Sequence, residues 1–247
     1  MNVLVVLPTY NESENIEHVL RRIRDAVPTA TVLVVDDGSP DGTAKIAESL
    51  SEELGSIEVL HRQAKSGLGS AYRMGFGWGI ERGFDACVEM DADLSHEPEA
   101  LPGLLGPLSE GCDLVIGSRY VPGGSIPDWT LLRRLLSRGG NLYADALLGL
   151  GVADSTAGFR AYSTELLGRI DLERIRAEGY GFQIEMTYQA KRAGATIRET
   201  PIRFVDRLQG DSKMSTAIVI EALGLVTWWG FQRLLGGERA RTHPART

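Results

Sequence analysis

Asp91 and Asp93 follow the apolar run Ala86-Cys87-Val88 and open the loop Asp91-Ala92-Asp93-Leu94-Ser95-His96. In extended chain, residues i and i+2 point the same way, so the two carboxylates can share one hard divalent cation. Mg²⁺ or Mn²⁺ typically combines one or two protein carboxylates with the phosphates of a substrate, which points to a nucleotide diphosphate. An isolated Asp-x-Asp also describes two acidic residues ending a strand on a solvated loop, so the surrounding chain has to decide.

Residues 2–7 read as a buried strand that Pro8-Thr9-Tyr10-Asn11-Glu12 breaks before a helix bearing Ile16, Val19, Leu20 and Ile23. A second strand over 31–35 runs into Asp36-Asp37-Gly38-Ser39-Pro40-Asp41-Gly42-Thr43. A third over 57–60 precedes Ser66-Gly67-Leu68-Gly69 and a helix through Arg73 and Phe76; the strand into Asp91 comes next. Strands alternating with helices predict right-handed βαβ units, a largely parallel sheet, and three acidic turns along the edge where open α/β sheets bind ligands. Pro8, Tyr10 and Glu12 offer a ring to pack on a nucleotide and a carboxylate to accept hydrogen bonds, or they simply end the strand. Asp37, with Val35 beside it, offers an acceptor for a base edge, or belongs to a turn with Ser39 or Asp41 as a cap.

A chain of 247 residues with 43% hydrophobic content builds one domain with a substantial core. Its net charge of -7 argues against a general nucleic-acid binder while leaving local basic sites open. Cys87 and Cys112 lack Cys-x-x-Cys spacing and read as reduced packing residues; with no signal-peptide pattern, the chain is expected to stay in the cytoplasm.

The three acidic turns, in this order, resemble those of family-2 inverting glycosyltransferases and, within them, the dolichol-phosphate mannose synthases. The likeness extends through Gly117-Ser118-Arg119-Tyr120, residues 133–141, Asp154-Ser155-Thr156-Ala157-Gly158-Phe159-Arg160 and Gly210-Asp211-Ser212-Lys213, covering roughly residues 2–216. It implies an α/β fold: a single GT-A type domain with a Rossmann-like sheet and flanking helices over residues 1–216. The implied reaction moves mannose from GDP-mannose to a polyprenyl phosphate, with Mg²⁺ or Mn²⁺ as cofactor. A UDP-glucose-dependent transferase acting on a similar lipid and a non-catalytic nucleotide-sugar-binding regulator are the alternatives.

Carried over residue by residue, the resemblance places Pro8, Tyr10, Glu12, Val35 and Asp37 at the nucleotide, and Asp91 and Ala92 at the donor. Asp93 becomes the leading metal ligand, with Asp91 and Ser95 as further ones, although Ser95 serves equally as a helix cap near Glu97-Pro98. Arg119, Arg133 and Ser137 match acceptor-phosphate positions, and Arg207 and Lys213 reach the donor diphosphate. Asp93, Arg119 and Arg133 are the expected catalytic set. No base role falls to His96, expected in solvent; residues 154–160 match a family segment near the sugar and acceptor site, with Asp154 alternatively a helix-loop cap and Phe159 core, and Gln183 and Glu185 are sugar or structural contacts, with structure favoured.

Residues 217–235 would span about 28 Å as a helix, but Glu221, Gln232 and Arg233 interrupt them. A charge near mid-bilayer costs about 2.5–3.5 kcal/mol against about 0.3–0.6 returned per apolar residue, which disfavours a spanning helix. Trp228, Trp229, Arg233, Arg239, Arg241 and Arg246 suit a membrane interface; the alternative is a helix packed on the domain. The expected arrangement is an amphipathic or interfacial helix over 217–235, then a basic, flexible tail over 236–247. That would place the protein peripherally at the cytoplasmic face of a membrane, with an integral-membrane protein as a candidate partner.

Overall fold

The computed structural model describes residues 1–206 and 216–235, with side chains of the second stretch from Glu221 onward. Seven strands, β1 (Val3–Thr9), β2 (Thr31–Asp36), β3 (Ile57–His61), β4 (Ala86–Glu89), β5 (Leu114–Ser118), β6 (Arg160–Ser163) and β7 (Ile197–Pro201), form one sheet ordered β3-β2-β1-β4-β6-β5-β7. All neighbours pair in parallel except at β6, which runs antiparallel to both β4 and β5. This one reversal has a functional result. The carboxyl ends of β1, β2, β4, β5 and β7 share an edge with the amino end of β6, so residues 154–159 reach the same edge as the Asp91 loop.

Helices cover both faces: α1 (Ile16–Ala26), α2 (Thr43–Leu54) and α4 (Leu101–Ser109) on one, α3 (Leu68–Glu81), α6 (Thr164–Arg169) and α7 (Gly179–Arg192) on the other. Strand periodicity divides β1 between the two cores: Val3, Val5 and Leu7 pack with α1, Leu4 and Val6 with α3. The first strand runs further than its sequence suggests, since Pro8 pairs with Val35 and Thr9 with Asp36. Pro8 lacks an N–H, and its nitrogen faces the β4 side, where the registered pairing has already stopped at Val6–Glu89.

Two further helices, α5 (Leu131–Leu148) and α8 (Thr216–Leu234), pack on each other and on α7 around Ala144, Leu148, Ile184, Tyr188 and Val226. Trp229 turns inward and stacks on Tyr188, while Trp228 points outward. Arg233 donates to the Leu147 carbonyl at the end of α5 (3.1 Å). The C-terminal helix is therefore packed on the domain along one side and exposed along the other, and Arg233, itself exposed, ties it to α5. Arg239, Arg241 and Arg246 lie outside the described residues. Cys87 and Cys112 are buried and free, and burial pushes the Cys87 thiol up to about 12.

Close contact between α3 and the sheet depends on missing side chains. A Cβ at Gly75 would lie 2.4 Å from Val6 Cγ1, and one at Gly79 2.7 Å from Cys87 Sγ, whereas a Cβ at Gly77 would meet nothing within 4 Å. Gly75→Ala should therefore destabilise the protein by about 1–3 kcal/mol through overpacking. Gly77→Ala should stabilise it by about 0.5–1 kcal/mol by restricting the unfolded chain. Urea midpoints of the two variants check this, and a shift in the same direction for both would refute the close-packing account.

Candidate active site

A polar lattice joins the first two turns. Thr9 Oγ1 donates to Asp36 (2.8 Å), Asp36 accepts from the Ser39 amide and hydroxyl (2.8 and 2.6 Å), and Ser39 Oγ accepts from the Asn11 amide (3.0 Å). Asp41 accepts from Ser13 N and from Thr43 N and Oγ1; these bonds outweigh desolvation and pull its pKa down to about 2. Asn11 is held at φ 58°, a left-handed conformation that costs about 1 kcal/mol or more unless its surroundings fix it. Asp37 is nearly buried and paired with Arg62 at 2.6 Å, and Arg62 also donates to Ser70. Burial, partly offset by Arg62, raises the Asp37 carboxyl above its ordinary value.

Tyr10 and Pro8 are half-buried at this edge, with Lys65 Nζ 4.5 Å from the Tyr10 ring centroid. Glu12 accepts from Asn15 Nδ2 (3.0 Å). Val35 and Ala92 are both buried, one in each of the two cores.

The acidic loop is bent so that its own polar groups aim it. Ser95 donates from its amide (3.0 Å) and its hydroxyl (2.6 Å) to Asp93 Oδ1, a fold-back made possible by Leu94 at φ 62°. Ser95 therefore orients Asp93 and makes no helix-cap bond, because the following short helix has no side-chain cap. Asp91 accepts from the buried Tyr72 hydroxyl (3.2 Å), and its amide donates to His96 Nδ1 (3.4 Å). His96 is not in solvent: it is 2% exposed, stacked on Phe159 and edge-on to Phe204. Two hard carboxylates at this spacing suit Mg²⁺ or Mn²⁺ and leave the remaining ligands to a substrate. Among the described residues no three His, Cys, Asp or Glu side chains cluster into a complete metal cage.

The opposite side of the edge is cationic, but much of its charge is already paired. Arg119 is buried and forked onto Asp154 (2.6 and 2.7 Å), with a further bond to Thr156. Asp154 is thus an ion-pair partner, not a cap. Desolvation of Arg119 is outweighed by Asp154, which raises its pKa further. Arg133 lies 3.9 Å above the Trp129 ring and donates from one terminal nitrogen to both oxygens of Asp206 (2.9 Å each), and Asp206 also accepts from Trp129 Nε1. Ser137 accepts from the Tyr120 hydroxyl at 2.6 Å. A pocket of about 260 Å³ beside them is lined by Arg119, Tyr120, Ser125, Arg134 and Arg138. Arg134 donates to the Ile126 and Pro127 carbonyls and Arg138 lies over the Tyr120 ring, with no salt-bridge partner seen for either among the described residues. Net positive charge in the pocket therefore comes from these two, with Arg119 neutralised by Asp154.

His96, Phe204 and Trp129 form a chain of ring contacts at 5.5 and 5.7 Å that joins the acidic loop to the arginine pocket. Tyr72, Arg62, Trp129 and Asp206 escaped sequence reasoning, because their roles arise from contacts with distant residues and no local spacing marks them. Arg207 and Lys213 lie outside the described residues. Glu185 accepts from the Arg176 and Ala177 amides, a structural use, and Phe159 is core.

Beneath the loop, Glu89 is fully buried, and desolvation, partly offset by Arg160, pushes its pKa up from 4.5 to about 7. The folded state then holds the proton more tightly than the unfolded chain between those values, so its contribution to stability falls as pH rises through that window. Glu89→Gln should remove this slope, leaving stability near pH 5 little changed and raising it above pH 7; parallel pH profiles for the two proteins would show Glu89 ionised throughout. Asp154→Ala strands the buried Arg119 charge and should cost about 3–5 kcal/mol by chemical denaturation. A loss below 1 kcal/mol would remove the pair from its structural role.

Comparison with known proteins identifies the family of the chain. Residues 4–171 match the model of Glycosyl transferase family 2. The chain is 53% identical over 241 residues to an undecaprenyl-phosphate mannosyltransferase of Micrococcus luteus, covering 98% of this chain and 99% of that one. It is 48% identical over 239 residues to a polyprenol monophosphomannose synthase of Mycolicibacterium smegmatis, covering 96% and 89%. Among solved structures, glucosyl-3-phosphoglycerate synthase of Mycobacterium tuberculosis, in complex with Mn²⁺, UDP-glucose and phosphoglyceric acid, superposes with a TM-score of 0.64 at 25% identity, over 95% of this chain and 79% of that one. The fold is the single α/β domain of GT-A type glycosyltransferases, and the chain belongs to glycosyl transferase family 2.

Proposed function

We propose that this chain transfers mannose from GDP-mannose to a polyprenyl phosphate with inversion at the anomeric carbon, giving polyprenyl phosphate β-mannose and GDP. The observation that carries this reading is the meeting, at one sheet edge, of a preorganised acidic loop and an arginine-lined pocket. The names of the two relatives, at 53% and 48% identity, supply the hexose and the lipid class.

Tyr10, Pro8 and Glu12 receive the base and ribose, and the Asp37–Arg62 pair presents a fixed carboxylate to the base edge. Asp93, with Asp91, would hold Mg²⁺ or Mn²⁺, and the cation when bound neutralises diphosphate charge; the Mn²⁺ in the glucosyl-3-phosphoglycerate synthase complex supports a divalent metal. Ser95 keeps Asp93 aimed. Arg207 and Lys213 are assigned to the same diphosphate.

A phosphate monoester with a second pKa near ~6 is mostly dianionic at neutral pH, so the acceptor needs no general base. The chemical difficulty is to bring two anions together, and cations answer it. Arg133 offers its unpaired guanidinium edge and Ser137 its hydroxyl proton to the phosphate. Arg119, braced by Asp154, walls the pocket, and Arg134 and Arg138 supply its net charge. An acceptor phosphate oxygen then forms the bond to the anomeric carbon as the bond to the GDP oxygen breaks, the electron pair leaving with GDP.

The lipid reading also accounts for the outer surface. Leu131, Leu132, Leu135 and Leu136 of α5 are each at least 60% exposed beside Arg134 and Arg138, and Trp228, Phe231 and Leu234 extend the apolar face along α8. Exposed apolar surface of this extent marks an interaction site, and leucine interleaved with arginine suits the boundary of an anionic bilayer. No helix among the described residues is long and apolar enough to cross a membrane. The face is assigned to a peripheral contact on the cytoplasmic side, where an integral-membrane protein could add to it.

Purified protein with a short polyprenyl phosphate, a divalent cation and radiolabelled GDP-mannose should transfer label to the organic phase. Label from UDP-glucose alone would move the donor assignment, and donor binding without any turnover would identify a regulator. Asp93→Ala should lower kcat by about 100-fold or more with the fold intact. Arg133→Ala should raise the acceptor KM by about 10-fold or more with little change for the donor; the reverse pattern would relocate the acceptor site. Leu132→Glu with Leu136→Glu should abolish co-sedimentation with anionic vesicles, and unchanged binding would discard the α5 face as a membrane contact.

A further inference from the structure

The ion pair between Arg133 and Asp206 differs from the other pairs of the site. In Asp37–Arg62 and Arg119–Asp154 the paired side chains are at most 9% exposed, whereas those of Arg133 and Asp206 are 30% and 40% exposed. Arg119 commits two nitrogens to Asp154 in a fork, but Arg133 gives Asp206 a single nitrogen, Nη1, shared between both carboxylate oxygens. An exposed pair of this kind gains little from its own attraction. It is the pair that a competing anion can open.

Other contacts nevertheless hold Asp206 in place. Its Oδ1 accepts from Trp129 Nε1 (2.9 Å), and its amide donates to Asp128 Oδ2 (3.3 Å). The residues before it are pinned on both sides, since Phe204 N donates to the Ser125 carbonyl (3.0 Å) and Val205 N to the Ser95 carbonyl (3.2 Å). The Trp129 ring that bonds Asp206 also carries the Arg133 guanidinium 3.9 Å from its centre. One indole therefore frames both charges. A phosphate that bonds the remaining edge of Arg133 enters the field of this carboxylate, and one that takes Nη1 must displace it. By either route Asp206 opposes the phosphate.

We propose that Asp206 is a resident counter-anion that limits the hold of Arg133 on phosphate, so that the lipid product can leave. The inference rests on the assignment of Arg133 to the acceptor phosphate and adds a residue that works against it. In the transfer a phosphate oxygen gains its bond to the anomeric carbon, so the monoester dianion becomes a diester monoanion and one negative charge passes to GDP. The phosphate group stays on the lipid. Arg133 thus keeps an attraction for the product that has to be overcome at every turnover, and Asp206 offers the guanidinium an alternative partner at that moment. Holding both lipids more tightly would slow release without speeding the transfer.

Asp206→Asn keeps an oxygen for Trp129 Nε1 and Arg133 Nη1 while removing the charge, which makes it the informative variant. Calorimetry with a short polyprenyl phosphate and with its mannosylated product, each at low and high salt, compares it with wild type and Arg133→Ala. Asp206→Asn should bind the phosphate about 10-fold more tightly than wild type at low salt, with the gain shrinking as salt screens the charge. It should also bind the product more tightly. If Arg133→Ala weakens binding but Asp206→Asn leaves it unchanged or weaker, Asp206 is a brace for Arg133, and the inference fails while the acceptor assignment stands. A gain of the same size at both salt concentrations would reflect altered shape in place of altered charge and would overturn the inference as well. If Arg133→Ala binds the phosphate as wild type does, the acceptor assignment falls and the counter-anion role with it.

Discussion

Arg160 carries a guanidinium into the centre of the domain, fully buried, where it donates to the carbonyls of Ser155, Ala157 and Gln183 and to the Thr187 hydroxyl. A charge in such a place is tolerable only when its donors are satisfied. Glu89 stands opposite it in register across the antiparallel β4–β6 ladder, and Arg160 partly offsets the burial that raises the Glu89 carboxyl. Because its acceptors belong to two separate pieces of chain, satisfying Arg160 also fixes where those pieces lie. Arg160 thereby ties the 154–158 loop to α7, and its own strand pairs with the one leading to Asp91. The acidic loop and the arginine pocket flank this junction.

Around that junction, opposite charges meet in pairs: Asp37 with Arg62, Arg119 with Asp154, Arg133 with Asp206. Pairing keeps long side chains in a single geometry, which catalysis by positioning requires, but it also cancels the long-range pull that each cation would exert on a phosphate. The site separates these tasks. Braced arginines shape the walls, while Arg134 and Arg138, held by carbonyls and a ring and, among the described residues, by no carboxylate, leave the pocket net positive. The net negative charge of the whole chain, -7, says nothing about this local surplus.

The apolar face of α5 and α8 fits the same logic at the outer surface. The two helices bury one side against α7 and leave leucines and Trp228 exposed next to the arginine pocket. An acceptor with a phosphate head and a hydrocarbon tail would thus meet cations and apolar side chains in the order in which it presents its own groups.

The strand–helix alternation, the three acidic turns and the two-residue spacing of Asp91 and Asp93 were legible in the chain, because strand period, turn chemistry and carboxylate spacing are local properties. They were enough to expect an α/β domain with its ligands at one sheet edge. The reversal of β6 was not legible, since a four-residue strand reads the same in either direction and only its pairing with β4 and β5 sets its sense. Nor were the burial of Val35, Ala92 and His96, or the commitment of Arg119 to Asp154. Each depends on partners tens of residues away in the chain, and burial decides whether a polar group is a solvated tip, a brace or a ligand contact. Sequence alone determined which chemical groups the site could contain; the tertiary structure decided which of them remain open to a substrate, because desolvation and pairing are settled only when distant segments meet.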